Sequence, residues 1–225
     1  MKKVVAVIPI KLNNQRLPGK NVRPLGGKVL CQYLFETVQQ VQCIDETYVY
    51  CSDESIKRYI PQGIHFLRRP KELDADTVKS KDILQMFIST INADIYVLMH
   101  VTQPFITEET ITNAINKVVL YNYDSAFAAH KIKEFVWYNG KTVNYSLTDV
   151  VRTQELQPVY IEGELFVFEK KVFTENGRRI GEHPWIQPIG WKESICIDDI
   201  EDFEMAEAVV ELEKMKRNKS LTMQK

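Results

Sequence analysis

The chain has 225 residues, which is enough for one α/β domain with a sizeable buried core. Its 29 lysines and arginines nearly balance 30 aspartates and glutamates, whereas a dedicated nucleic-acid-binding domain is normally clearly basic. Four cysteines without close metal-ligand spacing favour a reduced, cytoplasmic protein, and no apolar run approaches the roughly 20 residues of a membrane span. We therefore expect partners that are neither nucleic acid nor membrane.

Strand and helix patterns alternate through the first half of the chain. The predicted strands are 4–10, 47–51, 64–67 and 95–99. The predicted helices are 29–41, 54–60, 80–91 and one that begins after Thr107. The inward side chains expected for helix 80–91 are Ile83, Met86, Phe87 and Thr90. This alternation predicts βαβ units, and so an α/β fold with a single doubly wound, mostly parallel sheet.

The pattern changes after Asp124. Further strands are predicted at 125–129, 165–168 and 195–197, and an amphipathic helix is predicted at 200–216. The side chains expected on the inward stripe of that helix are Phe203, Ala206, Val210 and Met215. We expect one domain over residues 1–218 and a flexible tail at 219–225.

An inserted β-hairpin is predicted within the appendage at about 131–160. Asn139 and Gly140 separate two short aromatic runs, and Asn-Gly is the favoured two-residue hairpin turn. Exposed aromatic side chains on such an appendage suit a dimer contact or a lid over a substrate. Packing of the hairpin on its own domain is an equally open interpretation.

A basic loop follows the first strand. It contains two turn signals, Pro18-Gly19 and Gly26-Gly27. Its cations are Lys11, Arg16, Lys20, Arg23 and Lys28. In α/β sheets the loop that leaves the carboxyl end of the first strand is where ligands bind. The loop therefore predicts a polyanion, most simply a triphosphate; the alternative is a basic loop exposed to solvent.

The familiar phosphate-binding motifs are missing from this loop. The sequence has no G-x-x-x-x-G-K-[ST], and no G-x-G-x-x-G follows the first strand, which disfavours P-loop NTPases and dinucleotide-binding Rossmann domains. Phosphates would have to be held by side chains and by the glycine turns, as nucleotidyltransferases hold them.

An acidic segment near the C-terminus reads C-I-D-D-I-E-D-F, from Cys196 to Phe203. Asp198 lies where a strand is predicted to give way to a helix, and there a carboxylate can reach Mg²⁺ held by a triphosphate. Asp199 and Asp202 fall in the first helical turn, where capping is an equally good explanation for them.

These segments together resemble a known family. The first block reads I-P-I-K-L-N-N-Q-R-L-P-G-K-N and is followed by P-L-G-G-K. Later blocks are R-R-P-K-E-L-D-A-D-T, the segment from His100 to Thr107, and the terminal I-D-x-x-x-D-F. In this order and spacing they resemble the acylneuraminate cytidylyltransferase family, the CMP-sialic acid synthetases and their relatives, over about residues 4–210.

The resemblance implies a Rossmann-like nucleotidyltransferase, usually a homodimer, that uses CTP and Mg²⁺ to make a CMP-sugar and pyrophosphate. By position, the nucleotide contacts it implies are Lys20, Asn21, Arg69, Val78 and Ser80. The sugar contacts it implies are Arg152 and Phe166, and we add His100 and Gln103 as substrate-binding candidates. Asp198 matches a magnesium ligand of the family.

The chain departs from the family pattern at four positions. Lys11 stands where the family has an arginine, which keeps the charge but loses the bidentate fork. Cys196 occupies the position of a second magnesium-binding aspartate. His100 stands in place of a glutamine, and Tyr160 in place of an arginine of the sugar pocket. These departures leave the nucleotide half recognisable and change the acceptor half.

The predicted reaction is attack by an acceptor oxygen on the α-phosphate of CTP, with pyrophosphate leaving. Lys11, Arg16 and Lys20 would offset the charge that builds up on the phosphates. The expected acceptor is an acidic, nonulosonic-acid-like sugar whose carboxylate pairs with Arg152. Three alternatives stay open: a phosphate- or phosphonate-bearing acceptor, a nucleotide-binding protein without turnover, and a transferase that uses another nucleotide.

Overall fold

The computed structural model describes the backbone of residues 2–223 and the side chains of residues 2–219. The strands are β1 Val4–Ile10, β2 Pro24–Leu25, β3 Lys28–Val29, β4 Glu46–Cys51, β5 His65–Arg68, β6 Ile95–Met99, β7 Ser125–Ile132, β8 Trp137–Tyr138, β9 Lys141–Thr142, β10 Val159–Glu169 and β11 Pro184–Ile189. The α-helices are α1 Leu30–Val38, α2 Ser80–Thr90, α3 Glu108–Leu120, α4 Lys170–Asn176 and α5 Ile200–Met223. Short 3₁₀ turns cover Lys20–Val22, Glu54–Tyr59, Lys71–Asp74 and Thr153–Glu155.

A seven-stranded sheet organises the molecule, in the order β11-β7-β10-β6-β1-β4-β5. Every neighbouring pair in it is parallel except the two pairs made by β10, which runs antiparallel to both β6 and β7. The predicted mostly parallel, Rossmann-like sheet is therefore confirmed. Since β4, β1 and β6 run in the same direction, their carboxyl ends meet at one edge, and the loops that follow them lie together.

Helices cover both faces of the sheet. One apolar cluster joins the sheet to α1 and α3, and a second joins its other face to α2 and α4. Because both faces are covered, β1 and β6 are apolar along nearly their whole length. This explains why these two strands were predicted with the bounds that the structure has.

A third apolar cluster fixes the basic loop. Leu17 and Leu25 of that loop pack against Phe203, Ala206 and Val210 of α5. The C-terminal helix therefore holds the segment that follows β1, although nearly the whole chain separates them. The inward positions predicted for α5 are confirmed at these three residues and wrong at Met215, which is exposed.

One predicted strand was wrong, and one strand of the sheet was not predicted. Residues 195–197 do not form a strand; Ile195 and Ile197 are instead buried in the cluster with α5. The last strand of the sheet is β11, which contains Pro184 and Pro188. Proline disfavours a central strand, but β11 lies at the edge of the sheet, where one side of its backbone needs no strand partner.

The face of α2 was also predicted incorrectly in part. Phe87 points inward as expected, but Met86 is 42% exposed, and Leu84 and Ile88 complete the buried face. Adjacent positions on a helix differ by about 100°, so a small error in choosing the stripe exchanges a buried residue for an exposed one.

The inserted hairpin between β7 and β10 is confirmed as a short ladder of β8 and β9. Asn139 and Gly140 both have positive φ, as a primed two-residue turn requires. Trp137 and Tyr138 are exposed on it. Its role in dimerisation stays a prediction.

The C-terminal helix α5 extends to Met223, beyond the predicted end at residue 216. The expected domain boundary at 218 falls within α5, and residues 224 and 225 lie outside the described residues. The flexibility of the tail at 219–225 stays a prediction. None of the helices in the described part of the chain is both long enough and apolar enough to cross a membrane.

The close packing of the basic loop on α5 gives a stability prediction. Gly26 has a φ of 62°, and a Cβ there would overlap Cγ1 of Val210. We expect Gly26→Ala to lower the free energy of unfolding by about 2 to 4 kcal/mol, from backbone strain and overpacking together. Urea denaturation measures this change.

The double variant Gly26→Ala with Val210→Ala separates the two causes. It removes the overlap but keeps the backbone strain, so the two changes together should cost less than the sum of the single changes. Strictly additive losses would contradict this account of the contact.

Candidate active site

The cations after β1 surround one small cavity at the carboxyl edge of the sheet. Its volume is about 230 Å³, and we call it the cation cavity. It is lined by Lys11, Asn13, Asn14, Gln15, Arg16, Leu17, Lys20, Asp76 and Asp198. The structure thus brings together Lys11, Arg16 and Lys20, the predicted catalytic cations, and Asp198, the predicted metal ligand.

Lys20 is the most constrained of these cations. Gly19, with a φ of 67°, begins the 3₁₀ turn that turns the chain here, and Lys20 is only 7% exposed. Its Nζ donates a hydrogen bond to the carbonyl of Ile197 at 2.6 Å and lies 3.5 Å from Oδ1 of Asp198. A buried ammonium is therefore fixed beside the predicted metal ligand.

The other two cations pair with carboxylates at the rim. Arg16 Nη2 lies 2.9 Å from Oδ1 of Asp198, and Lys11 Nζ lies 2.7 Å from Oδ1 of Asp76. The hydrogen bond from Lys11 is the main reason that the pKa of Asp76 lies below its usual value. Each cation is thus held in place by a single side-chain oxygen, which an incoming polyanion can replace.

A second cavity adjoins the first, because Lys11 and Asp76 line both. Its volume is about 300 Å³, and we call it the Arg69 cavity. It is lined by Pro9, Lys11, Arg69, Leu73, Ala75, Asp76, Val78, Ser80, Ile83, Leu84 and His100. The structure therefore assembles the predicted nucleotide contacts Arg69, Val78 and Ser80 beside the cation cavity.

Four buried side-chain atoms near these cavities have no hydrogen-bond partner among the described residues: Oδ1 of Asn14, Nδ1 of His100, and the following two. Arg69 is 2% exposed; its Nη2 contacts Oδ1 of Asp74 at 2.5 Å, whereas its buried Nε is unpaired. Asn21 donates from Nδ2 to the carbonyl of Lys11 at 2.7 Å, and its buried Oδ1 is unpaired. Buried polar atoms are almost always hydrogen-bonded, so these two atoms are suited to meet a ligand.

A third cavity, of about 380 Å³, is lined in part by α2, and we call it the Arg179 cavity. Ser80 and Leu84 line both it and the Arg69 cavity. Its charged lining consists of Lys81, Glu162, Arg178 and Arg179. With three cations and one carboxylate, this cavity is suited to an anionic group.

Three predicted substrate contacts lie away from these cavities or have no exposed surface. Arg152 begins the turn Thr153–Glu155 in the hairpin appendage, where its side chain is 82% exposed and pairs with Glu155. Phe166 is buried in the core, and the guanidinium of Arg179 lies 3.8 Å from the centre of its ring. Gln103 is only 1% exposed.

The amide of Gln103 is already used by the fold. Its Oε1 accepts from the backbone N–H of Glu164 at 2.7 Å, and its Nε2 donates to the carbonyl of Glu193. These bonds connect the loop after β6 to β10 and to the segment before α5. The geometry therefore gives Gln103 a positioning role.

Two charged residues of the site were missed in the sequence. Glu164 contacts His100, with 2.6 Å between Oε2 and Nδ1, and Arg179 lines the third cavity. Glu164 directly precedes the predicted strand 165–168, and an acidic residue at a strand end carries no specific signal. The pair Arg178-Arg179 was a visible cluster of like charge, but nothing local in the sequence connects it to the first loop.

The metal-binding prediction depends on Asp198 alone. Burial raises the pKa of Cys196 to about 11, so its sulfur stays a neutral thiol, which is a poor ligand for a hard cation. No group of three or more His, Cys, Asp or Glu suited to a metal occurs within residues 2–219. The donor set therefore fits an ion that takes one protein carboxylate and its other oxygens from phosphates and water.

The family is established by the sequence as a whole. A family model described as cytidylyltransferase matches residues 5–222. The chain belongs to the cytidylyltransferase family. This confirms the resemblance and the nucleotidyltransferase class predicted from the sequence motifs.

Individual relatives of this cytidylyltransferase-family chain are distant. It is 23% identical over 213 residues to the N-acylneuraminate cytidylyltransferase of Streptococcus agalactiae serotype III, covering 89% of this chain but 52% of that protein. It is 25% identical over 231 residues to the CMP-N,N'-diacetyllegionaminic acid synthase of Legionella pneumophila, covering 93% and 97%. The chain thus spans about half the length of the first of these relatives.

A solved structure supports the fold. The CMP-2-keto-3-deoxy-manno-octonic acid synthetase complexed with CTP superposes with a TM-score of 0.68 at 17% identity, covering 94% of this chain and 99% of that one. At this identity the similarity shows the fold of this family member, and it does not assign a substrate.

The role of Gln103 can be tested by stability. We expect Gln103→Leu to lower the free energy of unfolding by about 2 to 4 kcal/mol, because it leaves two buried backbone groups unpaired. Thermal and urea denaturation measure the loss, and Gln62→Leu at an exposed position serves as the control. Unchanged stability combined with a raised KM for the acceptor would instead indicate direct substrate contact.

Proposed function

We propose that the protein transfers CMP from CTP to an acidic, nonulosonic-acid-like sugar and releases pyrophosphate. The observation that carries this proposal is the arrangement of Lys11, Arg16 and Lys20 around one cavity that opens next to the Arg69 cavity. The cation cavity is suited to the triphosphate, and the Arg69 cavity to the nucleoside. Membership of the cytidylyltransferase family supports cytidine as the base.

The chemistry needs positioning and charge more than covalent help. An acceptor oxygen attacks the α-phosphate in line as the bond to the β-phosphate breaks. Lys20 is already desolvated and fixed by Ile197, so it can meet the growing negative charge without reorganisation. Lys11 and Arg16 would exchange Asp76 and Asp198 for phosphate oxygens.

A divalent metal ion fits this arrangement, and we propose Mg²⁺. Asp198 would hold it as the one protein carboxylate, once Arg16 turns from Asp198 to the phosphates. Bound there, such an ion would neutralise phosphate charge.

The Arg179 cavity supports an acidic acceptor. Its three cations lie next to the nucleoside site, since Ser80 and Leu84 separate the two cavities, and a guanidinium pairs well with a carboxylate. The named relatives act on sialic, legionaminic and octulosonic acids, each an acidic sugar by name. A phosphate- or phosphonate-bearing acceptor is the second candidate, because the same cations suit it.

Two further proposals concern the whole protein. Exposed Trp137 and Tyr138 on the hairpin appendage support its use as a homodimer contact. A cytoplasmic location is the setting in which CTP is available, and it stays a prediction. A nucleotide-binding protein without turnover is the competing function, and Cys196 in place of a metal-binding aspartate is the feature that favours it.

Lys20 gives the first test of this function. We expect Lys20→Ala to lower kcat at least about a hundredfold, because one preorganised cation at a developing charge contributes a few kcal/mol. Pyrophosphate release from CTP with a panel of acidic sugars measures it. Lys28→Ala is the matched control, since Lys28 belongs to the same loop but pairs with Glu36 and lies outside the cation cavity.

Circular dichroism and thermal unfolding of both lysine variants establish that they are folded. Near-normal pyrophosphate release by folded Lys20→Ala would remove Lys20 from the mechanism. Tight CTP binding by the wild type, with no pyrophosphate from any acceptor, would favour the binding protein without turnover.

Arg179 tests the acceptor site. We expect Arg179→Gln to raise the KM for the acceptor about tenfold to a hundredfold and to leave the KM for CTP unchanged, because Arg179 lines the proposed acceptor cavity and neither of the two proposed nucleotide cavities. Arg152→Gln is the matched comparison, since Arg152 is the arginine that the sequence assigned to this role. A raised acceptor KM in Arg152→Gln and not in Arg179→Gln would contradict the proposed acceptor site.

A further inference from the structure

We propose that His100, positioned by Glu164, is the general base that removes the proton from the acceptor hydroxyl; this inference rests on the proposed function. His100 directly follows β6, at the carboxyl edge of the sheet, and its ring lines the Arg69 cavity together with Lys11 and Ser80. It therefore lies in the cavity that adjoins both the cation cavity, through Lys11, and the Arg179 cavity, through Ser80.

The contact between His100 and Glu164 fixes the ring. Nδ1 of His100 lies 2.6 Å from Oε2 of Glu164. This contact lowers the pKa of the Glu164 carboxyl, so the group is ionised at neutral pH and can only accept a hydrogen bond. Although Nδ1 is not aligned with the carboxylate as an ordinary hydrogen bond requires, a carboxylate at this distance favours a hydrogen on Nδ1 of the neutral ring, which would leave Nε2 with a free lone pair.

The regular register of β10 and β6, in which Leu165 pairs with Met99, places Glu164 opposite His100, and an irregularity of β10 lies at the same point. The register between β10 and β7 shifts between Glu162 and Phe166, which is the signature of a bulge. Bulges are common next to active sites because they change the direction of a side chain.

Gln103 and Gly163 hold this irregular segment. Oε1 of Gln103 accepts from the backbone N–H of Glu164, and a Cβ on Gly163 would come within 3.0 Å of the Gln103 amide. The glycine therefore leaves the space that the amide needs. Four residues on two strand ends cooperate to place one carboxylate against one imidazole, which is more than packing alone requires.

The proposed step balances in atoms and electrons. The acceptor hydroxyl gives its proton to Nε2 of His100 as its oxygen forms the new bond to the α-phosphorus. The bond from that phosphorus to the bridging oxygen breaks, and pyrophosphate leaves with the electron pair. Glu164 stabilises the resulting imidazolium, which then returns its proton to water. General base catalysis of this kind contributes about a hundredfold to ten-thousandfold.

Other charged groups around the pair belong in any account of its pH dependence. Lys11, from the loop after β1, lines the same cavity as His100. The charges of Arg179 and Lys20 help to lower the pKa of Glu164, and the charge of Glu164 helps to raise the pKa of Cys196. Arg179 and Lys20 both favour the ionised carboxylate that the proposal needs.

The first test compares rates. His100→Gln should lower kcat at pH 7 at least about a hundredfold and abolish the decline of kcat toward acid pH, a loss larger than any change in CTP affinity measured by calorimetry. His65→Gln, at an exposed histidine of β5, is the matched control. If the wild type turns over and the kcat of His100→Gln is within threefold of the wild-type kcat, the proposal is overturned and the proposed function is left intact.

The second test addresses Glu164 as a positioning residue. Glu164→Gln removes the negative charge but keeps the shape, so the acid limb of the kcat profile should move to lower pH as kcat falls. A merely structural role would lower activity without moving the limb. That outcome would overturn the assignment of Glu164.

The third test needs no acceptor. NMR of the imidazole nitrogens in the wild-type protein should show His100 as the Nδ1–H tautomer at neutral pH, and Glu164→Gln should weaken that preference. An Nε2–H tautomer would overturn the proposal whatever the activity. Absence of pyrophosphate from the wild type with every acceptor would instead refute the proposed function, so the two failures are distinguishable.

Discussion

A single buried hydrogen bond at the candidate active site connects the loop after β1 to the segment before α5. Nζ of Lys20 donates to the carbonyl of Ile197, 177 residues away in the sequence. A carbonyl satisfies one of the three donors of the ammonium without neutralising its charge, and the partly exposed Asp198 supplies the nearest negative charge at 3.5 Å. The site is therefore left poised for an anion that can reach Lys20 from the cation cavity.

That bond depends on packing farther from the site. Leu17 and Leu25 are held against Phe203 and Val210, so the loop after β1 is packed on the first turns of α5. The sheet then supplies the second constraint, because the carboxyl ends of β1, β4 and β6 meet at one edge. Helix–loop packing fixes the cations, and the parallel strands bring Arg69 and His100 to them.

The parts of the fold that could be predicted are those with a local signal. β1 and β6 are apolar on both faces, and Asn139-Gly140 is the favoured sequence for a two-residue hairpin turn. β11 was missed because Pro184 and Pro188 argue against a strand unless its place at the edge is known. Met86 was placed inward because the helical period does not distinguish neighbouring stripes when several positions are apolar.

The candidate site divides in the same way. Lys11, Arg16 and Lys20 are close in sequence, so one loop was enough to propose all three. His100 and Glu164 are 64 positions apart and meet because β10 runs antiparallel beside β6 in a register that pairs Leu165 with Met99. Arg179 and Arg152 are equally basic in the sequence, and only the tertiary structure shows which of them lines a cavity next to the nucleotide contacts.

The central claim is that Lys20 and its neighbours hold the triphosphate of a cytidine nucleotide. A crystal structure of the protein with CTP and Mg²⁺ tests it most directly. The account predicts phosphate oxygens within hydrogen-bond distance of Nζ of Lys20 and of the Arg16 guanidinium, with cytosine in the cavity beside Arg69. Nucleotide bound elsewhere, with Arg16 and Asp198 still paired, would contradict it.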